Sequence, residues 1–216
     1  MDFDAARHNM VESQIRPNRV TDPLVMAAMA EVPREAFLPK ALRGVAYVDE
    51  DIALGNGRHM IEPLVLARLL QGAEIEPSDV VLVIGCATGY CSAVLACMAN
   101  TVVALESDSG LAEAATATLG EQGVDTVAFV EGALRDGYAK QGPYDVIFFC
   151  GAVPEIPDAI RDQLAEGGRM VAVISDGPMG KAVLVTRRDG LFSRLEKFDA
   201  AMPPLLGFEA KPSFVF

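Results

Sequence analysis

Tryptophan is absent from the 216 residues and aromatic side chains make up only 6% of them, so any core must be built mainly from aliphatic residues. Histidine occurs only as His8 and His59. None of the four cysteines, Cys86, Cys91, Cys97 and Cys150, is spaced as Cys-x-x-Cys. No metal site is expected, and the cysteines read as reduced, mostly core residues of a cytoplasmic protein. Basic residues are in short supply, 18 against 30 acidic ones, for a formal charge of −12. A nucleic-acid partner needs a basic surface and is therefore excluded. No apolar run reaches the roughly 18 residues of a membrane span. The first ten residues carry charges and His8 in place of an apolar stretch, so no signal peptide is expected.

What is present is a 51% hydrophobic chain long enough for one substantial core. A polar helix is expected from Asp4 to Ile15, broken at Arg16-Pro17-Asn18, and a second opening at Asp22-Pro23. Residues 37 to 54 are mixed and turn-rich, a lid more than a sheet element. Gly55-Asn56-Gly57 is a tight turn that delivers Arg58-His59-Met60-Ile61-Glu62 to Pro63, which opens a helix over 64 to 70. From residue 80 onwards strands and helices alternate. Strands are expected at 80–84, 101–105, 126–130, 144–150 and 169–174, with helices near 89–99, 109–119 and 157–165. An antiparallel hairpin, 181–187 and 192–198, turns at Asp189-Gly190. The fold class is α/β: a Rossmann-like, doubly wound, mostly parallel sheet with a C-terminal antiparallel hairpin and an N-terminal helical cap. Residues 1 to 62 form the cap and 63 to 216 the Rossmann domain. Dimerisation through the cap has no support in the sequence.

In such a sheet, ligands bind beyond the carboxyl ends of the strands. The strand at 80–84 runs into Gly85-Cys86-Ala87-Thr88-Gly89-Tyr90. The glycines there allow a sharp turn and close backbone approach to a ligand. Glu106 follows 21 residues after Gly85, the spacing at which an acid can accept both hydroxyls of a ribose. The alternative is a solvated loop carboxylate. Glycines four apart, with no third glycine where a nicotinamide site wants one, favour adenosylmethionine over a dinucleotide.

Beyond the turn, several short pieces occur in a fixed order. They are Val32-Pro33-Arg34-Glu35-Ala36-Phe37, Ala46-Tyr47, the turn with Ala93-Val94-Leu95-Ala96 behind it, Pro143-Tyr144-Asp145-Val146-Ile147, and Gln163-Leu164 with Gly167-Gly168-Arg169. In that order, over residues 20 to 186, the chain resembles the protein-L-isoaspartate O-methyltransferase family. The resemblance implies S-adenosyl-L-methionine as cofactor, bound through Gly85, Cys86, Ala87, Thr88, Gly89, Glu106, Gly132 and Ala133. It implies a protein or peptide substrate whose L-isoaspartyl carboxylate is methylated. The missing catalytic triad fits that chemistry, because a free carboxylate with a pKa of about 4 is already ionised at neutral pH.

The sequence departs from the family pattern at the site. The family's hydroxyl position, in a Gln-Thr-Ile-Ser stretch before the first large helix, is Ile61 here, and an alkyl group cannot donate a hydrogen bond. Arg58 and His59 are candidates to receive the substrate carboxylate, since arginine binds carboxylates through two parallel hydrogen bonds. Equally, Arg58 could pair with a surface acid such as Glu62, and His59 could be a polar loop residue. Val83 stands where the family has an acid, Ala87 replaces its middle glycine, and Gly132-Ala133-Leu134 replaces Gly-Asp-Gly. At about 1 kcal/mol or more per lost contact, cofactor affinity would fall by tens to hundreds of fold. The alternative function is a relative without isoaspartyl activity, either a binding or regulatory protein or a methyltransferase for another substrate.

Overall fold

Val81 and Val83 point to one side of a strand, Leu82 and Ile84 to the other, and all four are fully buried. A strand that is apolar on both faces needs cover on both, which makes it central in its sheet. The computed structural model, described over residues 1–209, places β3 (Val80–Ile84) there. The seven-stranded sheet has the order β5-β4-β3-β6-β7-β8-β9. Its parallel part comprises β4 (Thr101–Glu106), β5 (Val127–Glu131), β6 (Tyr144–Val153) and β7 (Leu164–Ile174). The antiparallel β8 (Gly180–Arg188) and β9 (Leu191–Ala200) complete it. The expected fold class is the observed one. Strand order reverses between β4 and β6 on either side of β3, so the switch point at which such sheets bind ligands lies at the end of β3.

The two faces have separate cores. Val81 and Val83 belong to the one that includes α2 (Pro23–Glu31), α3 (Pro63–Ala73) and α4 (Tyr90–Ala96). Leu82 and Ile84 belong to the other, with Ile160 of the short α6 (Asp158–Arg161), Leu205 and Phe208. The helix α5 (Ser109–Glu121) sends Leu119 into the first.

Several elements differ from the sequence-based expectations. The first helix, α1 (Phe3–Asn9), continues through a π-helical turn Met10–Ile15 and a 3-10 turn Arg16–Asn18, ending at Arg19 with φ 67°. The expected turn at Gly55-Asn56-Gly57 joins two strands, β1 (Ile52–Gly55) and β2 (Arg58–Met60), in a second, two-stranded sheet, so the expected strandless lid over 37 to 54 gives way to a strand at its end. The expected helix over 157–165 stops at Arg161, because Leu164 already pairs with Tyr144 and β7 runs through Gly167 with φ 78°. Residues 210–216 of the expected 63 to 216 domain lie outside the described residues.

Candidate active site

The turn after β3 follows from its residues. Gly85, Ala87 and Gly89 all have positive φ, at 77°, 49° and 92°. Gly85 and Cys86 donate their amides to the carbonyl of Leu105 on β4, at 2.9 and 3.3 Å, which ties the turn to the neighbouring strand. A Cβ on Gly89 would stand 3.1 Å from Ala115 of α5, so this position admits little besides glycine. Ala87, the non-glycine in a left-handed conformation, aims its amide at Glu106, 2.7 Å from Oε2.

Glu106 ends β4 and is fully buried. Its Oε1 accepts from the amides of Ser107 (2.8 Å) and Asp108 (3.2 Å), its Oε2 from Ala87 and from the guanidinium of Arg58 at 2.6 Å. It is therefore no solvated loop carboxylate. The Ser107 hydroxyl adds a longer fifth contact to Oε1 at 3.4 Å. A carboxylate has about four lone-pair sites, so these donors saturate it.

Arg58 reaches it from β2. The hairpin tip crosses the sheet end, where Asn56 also donates to Asp108 at 3.0 Å. That hydrogen bond holds the Asp108 carboxyl below its usual range, seconded by the Leu111 amide that Asp108 caps. The pairing of Arg58 is thus neither with Glu62 nor with solvent. Its side chain is only 4% exposed, and its Nε has no partner among the described residues. His59, half-buried, likewise has an unpartnered Nδ1. Ile61 is buried beside them and its carbonyl accepts from Arg34 at 2.6 Å. Gly132 lies at the end of β5, its amide on the carbonyl of Glu106 at 3.0 Å, while Ala133 is exposed. The structure thus gathers the 85–89 turn, Glu106, Gly132, Arg58, His59 and Ile61 at the end of β3.

Two contributors have no counterpart in the sequence reading. Arg34, fully buried, donates to the carbonyls of Ala46 and Ile61 and lies 4.9 Å over the ring of Tyr90, fastening the cap to the start of α4. Burial drives the Tyr90 hydroxyl up to about 12, against the pull of Arg34. The signal for Arg34 is its place in the Val32-to-Phe37 piece, where it stands beside Glu35 between apolar residues. The second is the segment 202–208. Pro203 and Leu205 exchange hydrogen bonds with Ala152 at 2.9 and 2.8 Å, so the segment lies along the end of β6. Leu205 fills the space above both Gly85 and Gly151: a Cβ on them would meet it at 2.5 and 2.8 Å. Only the apolar Leu205 and Phe208 after two prolines hinted at this.

Three thiols, Cys86, Cys91 and Cys150, are buried around the turn. Burial raises Cys86 well above the usual thiol value; for Cys150 a hydrogen bond with Cys91 leads and burial adds to it. They are packing groups here, not nucleophiles.

The turn and the buried acid suit an adenosyl cofactor; the space beside them does not admit one in this conformation. The cavity bounded by His59, Ile61, Tyr90, Cys150 and the turn measures about 20 Å³, and a second one, beneath Pro203 and Pro204, about 10 Å³. Each takes about one water, where a ligand site needs roughly 300–1,000 Å³. Arg58 and Leu205 occupy the volume.

The comparisons with known proteins agree with this architecture. "Protein-L-isoaspartate O-methyltransferase 1" of Rhodopseudomonas palustris (strain HaA2) is 37% identical, over 96% of this chain and 85% of that protein. The protein-L-isoaspartate O-methyltransferase of Koribacter versatilis is 35% identical, over 95% and 92%. A solved protein-L-isoaspartate O-methyltransferase superposes with a TM-score of 0.82 at 25% identity, covering 94% of this chain and 67% of that one. The fold is shared by a Plasmodium falciparum structure in complex with S-adenosyl-L-homocysteine, with a TM-score of 0.80, 18% identity and 95% and 98% coverage. The family model described as protein-L-isoaspartate(D-aspartate) O-methyltransferase matches residues 5–205, and the chain belongs to that family.

Proposed function

We propose that this protein transfers the methyl group of S-adenosyl-L-methionine to the carboxylate of L-isoaspartyl residues in proteins or peptides. The following backbone amide nitrogen then attacks the ester carbonyl and methanol leaves, and water opens the resulting succinimide to normal aspartate or back to isoaspartate. The observation that carries the reading is the bond between Ala87 of the turn and Glu106, which joins the two sequence signals into one constellation at the switch point. The cofactor, when bound, supplies an electrophilic methyl. Glu106, Gly132, Ala133 and the turn residues Gly85, Cys86, Ala87, Thr88 and Gly89 are the groups to hold it, once Arg58 and Leu205 have withdrawn.

The acceptor carboxylate is its own nucleophile, so the work left to the chain is orientation and exclusion of water. Ile61 can exclude water but cannot orient an anion. Arg58 and His59, each with a buried unpartnered nitrogen, are the groups that can. Residues 1 to 62 act as the cap that carries them and 63 to 216 as the transferase domain. The buried free thiols suit a cytoplasmic location.

A non-catalytic reading has one observation in its favour, the saturation of Glu106 by its own chain. A single assay decides between them. The purified protein is incubated with methyl-labelled adenosylmethionine and either an isoaspartyl peptide or its aspartyl isomer, and base-labile methyl ester is counted. Ester formed on the isoaspartyl peptide alone is the expected result. Ester at the aspartyl background, in protein that binds the cofactor, overturns the proposal.

A further inference from the structure

Of the five donors on Glu106, three are backbone amides whose positions are set by the turn and by the start of α5. The other two are side chains, the Ser107 hydroxyl on Oε1 at 3.4 Å and Arg58 on Oε2 at 2.6 Å. On Oε2, Arg58 is the donor that can leave without unfolding the sheet end. It also stands where a ligand on the turn would lie, since its Nη2 is 2.9 Å from the Cβ position of Gly85. A ribose diol can gain Oε2 of the carboxylate only by taking the place of this guanidinium.

An arginine expelled from a buried ion pair needs another anion, because a buried unpaired charge is strongly unfavourable. Among the described residues the carboxylate of Asp108 also feels the Arg58 charge, but it already accepts from Asn56 and from the Leu111 amide. Arg58 Nε is already without a partner, and the small cavity Arg58 lines is closed by Ile61, Cys150, Met202 and the two prolines, with His59 Nδ1 as a further unpartnered nitrogen. The tip that bears Arg58 is a short hairpin, with four residues in β1 and three in β2 and with Gly55 and Gly57 flanking Asn56 at φ of 96° and 69°, and apart from Arg58 itself its side-chain tie to the sheet end is the Asn56–Asp108 hydrogen bond.

We propose that Arg58 is an exchangeable carboxylate receptor, held on Glu106 until the cofactor's ribose displaces it and then free to take the carboxylate of the acceptor. The proposal rests on the methyl-transfer reading above and adds the order of events. Cofactor comes first, and the acceptor carboxylate is recognised by the arginine that the cofactor released. Linkage makes the effect reciprocal, so an acceptor that holds Arg58 away from Glu106 tightens the cofactor site by the same factor.

The test measures affinity without turnover. Calorimetric titration with S-adenosyl-L-homocysteine is run on the full chain, alone and with saturating isoaspartyl peptide, for the unsubstituted protein and for Arg58→Met and Arg58→Lys. In the unsubstituted protein the isoaspartyl peptide lowers Kd by about fivefold or more, within the usual range of coupling between sites, and the aspartyl isomer does not. Arg58→Met binds S-adenosyl-L-homocysteine at least about tenfold tighter, by removal of an internal competitor, and loses the peptide's effect. Arg58→Lys keeps a buried cation should the methionine variant fail to fold; it too binds tighter and shows a smaller peptide effect, lacking the planar fork. Unchanged or weaker binding in the substituted proteins overturns the proposal. Tighter binding in Arg58→Met with no ester formed by the unsubstituted protein leaves the displaced arginine standing and removes the methyl-transfer reading instead.

Discussion

At the scale of single residues, Ala87 shows how a departure from pattern is accommodated. Its φ of 49° is a left-handed conformation, which costs a residue with a Cβ roughly 1–2 kcal/mol. The conformation persists because it directs the Ala87 amide to Glu106, and because Gly85 and Gly89 on either side absorb the rest of the turn. Glycine at this position would relieve the strain but add freedom to the unfolded chain, worth about 0.4–1 kcal/mol in the opposite direction. The expected net effect of Ala87→Gly is a stabilisation of about 0.5–1 kcal/mol, read as a higher urea midpoint at unchanged slope. A lower midpoint would mean that the alanine methyl contributes packing that outweighs its strain. Residue identity made the turn and Glu106 legible, because their spacing is short and ordered. The bond from Arg58 to Glu106 was not, since it joins residues 48 apart and spacing carries no information about which loop crosses which strand end. Glu62 suggests itself as a partner for Arg58 from the chain alone because it lies four residues away.

Helix α3 illustrates the element scale. Pro63 at its first position marks its start in the sequence, but Glu62 makes no side-chain cap. The caps come from outside: Asp51 accepts from the Glu62 amide at 2.9 Å and Asp49 from the Leu64 amide at 3.2 Å. A helix start favours negative charge, yet Glu62 now shares it with two other acids. Burial first, then repulsion from Asp51 and Asp49, raises the Glu62 carboxyl to about 7. Burial likewise lifts Asp51, opposed by the Glu62 amide. Between pH 4.5 and about 7 the folded protein therefore keeps a proton on Glu62 that the unfolded chain has released, so stability falls as pH rises through that window. Glu62→Gln removes this dependence. The variant should equal the parent in urea midpoint at or below pH 4.5 and exceed it at pH 8, and parallel curves at the two pH values would refute the assignment. Elements with a strong period were legible to within a residue or two, β3 and β4 above all. The hairpin β1–β2 was not, because strands of four and three residues are too short to show alternation, and its hydrogen bonds depend on the cap around it.

For the whole molecule, the layered sheet and its switch point follow from the alternation of apolar strands and helices, which is why they could be read in advance. Closure of the site could not. It depends on the segment 202–208, which has two prolines, no period and no element of its own, returning to the ends of β3 and β6. Gly85 and Gly151 have no Cβ where Leu205 packs, so the glycines of the turn serve the chain's own closure as well as any ligand. Leu205→Ala separates these two uses. Leu205 is only 4% exposed, and removing most of its side chain should cost about 2–5 kcal/mol of stability, as for other buried leucines. The same change clears the space above Gly85 and removes part of the barrier to a ligand there. Stability and affinity should therefore move in opposite directions, with a lower urea midpoint and tighter binding of S-adenosyl-L-homocysteine by calorimetry. If Leu205 instead supports the bound ligand, both fall together, and the segment is a wall of the site and not its plug. Phe208→Ala provides the control: its ring packs edge-on against Phe149 at 5.8 Å and does not stand over the turn. It should lower stability and leave affinity nearer that of the parent, which ties any gain in Leu205→Ala to the volume over Gly85 and not to general loosening of the C-terminal segment.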